Sequence, residues 1–307
     1  MTSSTEVAAA VSAEARPGRG RRPFNREKRR STLLTVLMWA CGAYFAFPLV
    51  WLIVASTKSN ADLFTSFGLW FAPHFNLWQN IVTVFTTQGG IYTHWLINTV
   101  IYAGVSAIGA SLLATMAGYA FAKYDFPGGK ALFSITLGAI MIPLTALAIP
   151  TYLLFSSAGL TNTPWAVILP SLVSPFGVFL MRVYAADSVD DSLIEAARMD
   201  GAGEFRIFWQ VGIRLLGPGI VTVFLFALVA TWNNYFLPLI MLSSQELYPI
   251  TVGLAQQQSA SAAGGGSQAL FSTVITGSLV SVIPLIIVFL YLQRYWQSGL
   301  STGGVKG

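Results

Sequence analysis

The charged side chains of this 307-residue sequence are few, and half of its acids gather in one stretch: Asp187-Ser-Val-Asp190-Asp191-Ser192-Leu-Ile-Glu195-Ala196-Ala197-Arg198-Met199-Asp200-Gly201-Ala202-Gly203-Glu204-Phe205-Arg206. No histidine or cysteine stands among these carboxylates to make a nucleophile–base pair or a metal site. The stretch is instead suited to building a short helix that another surface can hold. Ser192 and Glu195 have the spacing of a capping box, so a helix is expected to start at Ser192. Glu195, Ala196, Ala197, Arg198 and Met199 are good helix formers, and Gly201 can take the positive φ that ends a helix. Beyond Gly203, Phe205, Phe208 and Trp209 recur at helical spacing and predict an amphipathic segment along a membrane surface. An ordinary surface loop can also contain a capped helix and a glycine turn.

The other residues with chemical capacity are scattered. Trp232, Asn233 and Asn234 join an aromatic face to amide donors and acceptors, which is what carbohydrate hydroxyls and sugar faces need; such residues near a span end equally anchor an interface or pack between helices. His74 and His94 are too far apart and too unaccompanied for a metal or catalytic site. Gly128-Gly129-Lys130 lacks the earlier glycine and the following Ser or Thr of a phosphate loop. A membrane enzyme is disfavoured, because no clustered nucleophile, metal-ligand set or carboxylate pair is present.

The elements that must position these residues are set by the solvent. Apolar side chains make up 54% of the chain and charged ones 9%, with a mean hydropathy of +0.64, far from the balance of a soluble domain. A helix crossing roughly 30 Å of hydrocarbon needs about 20 residues. Six stretches free of Lys, Arg, Asp and Glu meet that need: Leu33 to Val54, Trp95 to Ala122, Ala131 to Phe155, Pro164 to Met181, Leu215 to Leu242 and Phe271 to Leu292. The first is too long for a signal-peptide core and has no small-residue cleavage site behind it, so it reads as a retained span. Of the 17 Lys and Arg residues all but Lys58 fall on one side of these spans, so both termini are expected in the cytoplasm. The net charge of +5 is thus explained by membrane topology, and no nucleic-acid surface is expected. Cys41, the single cysteine, reads as a small buried hydrophobe.

Two further patterns bear on packing. Ala103, Ala107 and Ser111, with Ala110, Ala114 and Gly118, put small side chains on the second span, where backbones can approach closely. Pro143, Pro150, Pro170, Pro175, Pro238 and Pro284 are expected to bend or break the spans they interrupt. The reading is an all-α polytopic membrane protein: a basic, disordered tail over residues 1–32, a six-helix domain over 33–298 with its main polar loop at 182–214, and a cytoplasmic tail over 299–307.

Glu195-Ala196-Ala197, three residues, then Gly201 with Asp200 before it resembles the loop motif of permease subunits of ATP-binding-cassette (ABC) importers. Asn98-Thr-Val, Gly118-Tyr-Ala-Phe-Ala-Lys-Tyr-Asp-Phe-Pro-Gly-Gly, Met141-Ile-Pro, Asn162-Thr-Pro-Trp-Ala, Trp232-Asn-Asn and Gly299-Leu-Ser-Thr-Gly-Gly-Val-Lys-Gly are similar, in order and spacing, to the second, shorter permease of the maltose-porter branch. The family usually has proline shortly before Asp191 and at position 214; Val189 and Arg214 stand here, Pro218 is kept, and the exit into the fifth span is expected to be less kinked than usual.

The resemblance implies a type I importer permease fold in which Glu195, Ala196, Ala197, Asp200 and Gly201 form a helix docked on an ATPase, with the 299–307 tail reaching the same partner. It implies a heterodimer with a second permease, two copies of an ATP-binding-cassette ATPase, and an extracytoplasmic substrate-binding protein. No cofactor is expected on this chain, since ATP and Mg would be bound by the partner ATPase subunits. Relatives with these motifs handle di- and oligosaccharides and glycerol-phosphate esters. The competing reading is a secondary transporter without an ATPase, disfavoured because the spans lack the ionisable groups such carriers place at membrane depth.

Overall fold

A computed structural model describes residues 32–263 and 271–302, with side chains to Tyr295 in the last helix. The basic tail and the end of the C-terminal tail lie outside the described residues. The chain divides into two compact units, residues 1–48 and 49–307. In the first, helix α1 (Thr32–Ser56) begins with apolar side chains on every side, and Leu33, Trp39 and Phe45 are all exposed. Cys41 is exposed too, against the expectation of a buried thiol. A helix that is apolar all round matches lipid as well as a protein core, so apolar character alone did not locate it.

The second unit is built around α4 (Ile91–Lys123), which packs against α8 (Pro175–Ser188) and α12 (Gly217–Trp232). The small residues of α4 lie in those contacts: Ala103, Ala107 and Ala110 are fully buried. At Gly118 the approach is closest, since a Cβ there would lie 2.6 Å from Met181 Cβ and 2.7 Å from the Arg182 nitrogen. In lipid, where apolar surface gains little by leaving solvent, this closeness is what holds helices together.

Among the described residues four helices are long and apolar enough to cross a membrane: α1, the segment Leu77–Lys123 that joins α3 (Leu77–Thr86) to α4, the segment Trp165–Ser188, and α15 (Phe271–Thr302), measured to Tyr295. A fifth is added if α12 is joined to the helix before it. The shortfall from six lies in Ala131 to Phe155, which is not one helix but α5 (Gly129–Ile140) and α6 (Ala148–Ser157). Pro143 has no N–H to give and disfavours the helical conformation in the residue before it, and the helix ends just ahead of it at Ile140. The fourth stretch is likewise split, into α7 (Trp165–Ser171) and α8; Ser174 caps α8, accepting from the Gly177 amide at 3.1 Å, and α8 continues past Met181 to Ser188. The fifth stops at Trp232 and resumes as α13 (Phe236–Met241). Pro284, by contrast, is accommodated inside α15 without a break.

The connection after α13 contains a helix that the hydropathy pattern does not show, α14 (Ile250–Ala263). Its entry is tied to α4 through four side chains. Trp95 Nε1 donates to Gln245 O at 2.9 Å, Asn98 Nδ2 to Glu246 O at 2.6 Å, Tyr102 Oη to Leu247 O at 2.9 Å, and Thr99 Oγ1 accepts from the Ile250 amide at 2.8 Å. Asn162, at φ +54°, accepts from the amides of Ser243 and Ser244 at 3.0 and 2.9 Å. The Asn98 and Asn162 motifs therefore fix a loop far away in sequence.

Gly118→Val should drive α4 and α8 apart and lower the Tm of the purified protein in detergent, at a cost of about 1–3 kcal/mol. Gly104→Val, whose Cβ would meet nothing within 4 Å, should leave Tm unchanged; equal Tm values for the two variants would contradict the packing described.

Candidate functional site

The polar stretch after α8 folds as expected in kind, though not in its first turn. Helix α9 runs from Asp191 to Met199, and its N-cap is Asp190, whose Oδ1 accepts from the Ser192 amide at 2.9 Å. Ser192 is thus inside the helix, and the Ser192–Glu195 capping box is replaced by an aspartate cap two residues earlier. The Asp190 carboxylate lies nearer the chain's entry and offers an acceptor to a free amide next to the positive end of the helix dipole.

At the other end Gly201 has φ +77°. Its amide bonds Arg198 O at 3.0 Å and the Ala202 amide bonds Ala197 O at 3.0 Å, the paired bonds of a Schellman turn. Ala197 and Ala202 pack beside one core cluster, so the turn ends the helix and seals it against the bundle.

One side chain joins α9 to that cluster. Ile194 is 4% exposed and sits with Tyr119 of α4, Met181 and Ala185 of α8, Ile207, Phe208 and Leu216. Two polar links flank it. Lys123 at the end of α4 pairs with Asp191 at 2.8 Å. Arg198 donates to Glu204 through Nε at 2.6 Å and Nη2 at 3.2 Å, and Tyr124 Oη donates to the same carboxylate at 2.8 Å. The Arg198 and Tyr124 hydrogen bonds hold the Glu204 carboxyl below its ordinary pKa, while burial and the Glu204 contact push the Tyr124 phenol up. On the opposite face of α9, Glu195, Ala196 and Met199 are exposed, Met199 at 89%. Asp200 and Gly201 are exposed as well.

Past Gly203 the amphipathic segment divides into α10 (Glu204–Ile207), a π-helical turn over Phe208–Gly212, and α11 (Ile213–Leu215). Phe208 is buried against Tyr119, ring centroids 5.1 Å apart, whereas Phe205 and Trp209 are exposed. The segment then turns by 79° into α12. A sharp bend is therefore present without proline at 214; Pro218 occupies the first turn of α12, where its missing N–H costs nothing.

The second group of residues is not brought together as one site. Trp232 is buried among Ala103, Ala107 and Leu228, and with Asn233 it lines a half-open cavity of about 340 Å³ between α12, α14 and α15. Asn234 does not line it; its carbonyl accepts from Thr251 Oγ1 at 2.8 Å and its side chain from the Leu237 amide at 3.4 Å, which supports the start of α13. The cavity wall also includes Thr251, Gln258, Ser278 and Ser281, and among the described residues no acidic or basic side chain. Sequence reasoning missed these four. The signal that could have found them is the run Gln256-Gln257-Gln258, amides set in a segment that was read only as a loop.

A bundle of interrupted apolar helices, with one short amphipathic helix seated on its charged end, defines a multi-pass membrane protein. The chain belongs to the family of binding-protein-dependent transport system inner membrane components, the permeases of ABC importers, whose pattern matches residues 107–301. It is 34% identical to the arabinooligosaccharides transport system permease protein AraQ of Halalkalibacterium halodurans, over 92% of this chain and all of that one. It is 29% identical to the lactose transport system permease LacG of Rhizobium radiobacter, over 85% of this chain and 90% of that one. With the maltodextrin transport system permease MalD of Streptococcus pneumoniae the figures are 29%, 91% and 98%. A chain of a crystal structure of a bacterial ABC transporter involved in the import of the acidic polysaccharide alginate superposes with a TM-score of 0.75 at 24% identity, covering 90% of this chain and all of that one; it shares the fold.

Because the Glu204 pKa is depressed, the α9–α10 link is fully present above the ordinary glutamate pKa and is lost only as pH falls through the lowered value. Amide exchange in Ile194–Ala202, followed by mass spectrometry, should keep one protection level from pH 8 to pH 6 after correction for intrinsic rates. Glu204→Gln should lose protection across that whole range. A wild-type loss centred near neutral pH would contradict the assignment.

Proposed function

We propose that this chain is the permease through which an ABC importer carries a neutral di- or oligosaccharide into the cell, with Glu195, Ala196, Ala197, Asp200 and Gly201 forming the helix on which the ATPase acts. The observation that carries this reading is the asymmetry of α9. One face is fixed to the bundle through Ile194 and the other, with Glu195, Ala196 and Met199, is free. A stiff helix held in this way moves with the helices it is fixed to, so a push from a partner reaches α4 and α8 together.

The arrangement inferred for the whole protein has six spans with both termini cytoplasmic, a second permease making a heterodimer, two copies of the ATPase below and an extracytoplasmic binding protein above. ATP and Mg belong to the ATPase, and this chain uses no cofactor. The charge segregation of the sequence supports the orientation. The substrate class is supported by the relatives, which are named for arabinooligosaccharides, lactose and maltodextrin. It is also supported by a cavity wall that among the described residues has no Lys or Arg, which suits a neutral sugar better than a phosphate ester.

Gly201→Pro removes the amide that bonds Arg198 O and forbids φ +77°, and Ala197→Leu crowds the face next to Ile194. Both variants should insert in the membrane at normal levels yet lose uptake at least tenfold in vesicles holding the full transporter. Wild-type uptake by both would remove the ATPase-contact role, and uptake by this chain alone would favour a carrier that needs no ATPase.

A further inference from the structure

The cavity between α12, α14 and α15 has a donor and acceptor pattern that identifies its ligand chemistry. Three of its hydroxyls have already spent their protons: Thr251 Oγ1 on Asn234 O at 2.8 Å, Ser278 Oγ on Val274 O at 2.8 Å and Ser281 Oγ on Ser278 O at 2.7 Å. What they offer the cavity is oxygen lone pairs. Asn233 gives one N–H to Val229 O at 3.0 Å and keeps its other N–H and its carbonyl oxygen. Gln258 makes no hydrogen bond to any described residue. Its amide is exposed and uncommitted, as is the Tyr235 hydroxyl on the same wall. Trp232 and Tyr235 add aromatic edges beside these groups.

The Asn233 and Gln258 amides would each cost several kcal/mol if left unpaired in hydrocarbon, while Ile250, Leu254, Val274, Val282 and Leu285 give the wall an apolar part. Among the described residues the wall has no charge to offer an ion. It fits a neutral polyol, whose hydroxyls each donate and accept and whose ring faces are apolar. We propose that this cavity is a sugar-contacting site of the permease itself, with Gln258 on α14 as its specificity-determining residue and Asn233 and the three hydroxyls as supporting contacts. The inference rests on the sugar-importer reading above and adds to it: the chain would touch the substrate, and through α14 and α15 rather than through a Trp232-Asn233-Asn234 cluster.

The test uses the full transporter in proteoliposomes at saturating binding protein, with tritiated arabinotriose, maltotriose, lactose and raffinose as probes. ATP hydrolysis is measured in the same vesicles. Gln258→Leu should lower the sugar carried per ATP hydrolysed about fivefold, the loss of one neutral hydrogen bond. Gln258→Asn, which keeps the amide on a shorter stem, should recover part of that ratio and change the preference among the four sugars. If Gln258→Leu keeps the wild-type ratio, or if uptake and ATP hydrolysis fall together so that the ratio stays constant, the site is overturned while the importer reading stands. If the wild type carries none of the four sugars, the sugar reading fails and this site fails with it.

Discussion

A helix on a protein surface transmits displacement only to what it is fixed to, and for α9 that fixture is Ile194 in a cluster contributed by α4, α8 and the start of the next span. The remainder of the charged end is arranged around this seat. Asp190 and the Gly201 turn define where α9 begins and ends, Lys123 ties its first turn to α4, and Arg198 ties its last turn to Glu204 and so to the segment leading into α12. Exposed ion pairs contribute at most about 1 kcal/mol each, whereas removing a buried isoleucine side chain costs roughly 2–5 kcal/mol. The apolar contact therefore sets the stiffness of the joint, and the charges set its direction.

The same joint explains why α4 is so rich in small side chains. Helices in lipid associate by contact, and α4 can meet α8 and α12 together only where its own surface is Ala, Ser or Gly. Gly118 is the neighbour of Tyr119 and lies five residues before Lys123, so the close crossing of α4 and α8 is directly beneath the seat of α9. Farther along, α4 holds the entry to α14 with Trp95, Asn98, Thr99 and Tyr102. One helix thus connects the seat of α9 to the loop that leads into α14 and Gln258.

Much of this was legible before any coordinates. The all-α class follows from composition, the small-residue stripe from spacing, and the Schellman glycine from its place after Glu195-Ala-Ala-Arg-Met-Asp. What was not legible has identifiable causes. The cap moved from Ser192 to Asp190 because two acceptors compete at one helix start, and spacing alone does not rank them. Ala131 to Phe155 reads as one span by hydropathy, yet the helix ends ahead of Pro143, whereas Pro284, in an equally apolar setting, is kept inside α15. α14 was missed because its glutamines and serines lack an apolar period, its order coming from the long-range bonds to α4. Asn234 was grouped with Trp232 and Asn233 by adjacency, but the chain turns there and sends its amide to α13.

The central claim is that the outward face of α9 meets an ATP-hydrolysing partner. A photoreactive phenylalanine analogue in place of Met199, irradiated in membranes containing the whole transporter, tests it most directly. The account predicts a covalent adduct with the ATP-hydrolysing subunit. Adducts formed only with lipid, or none at all while that subunit remains bound to the complex, would contradict it.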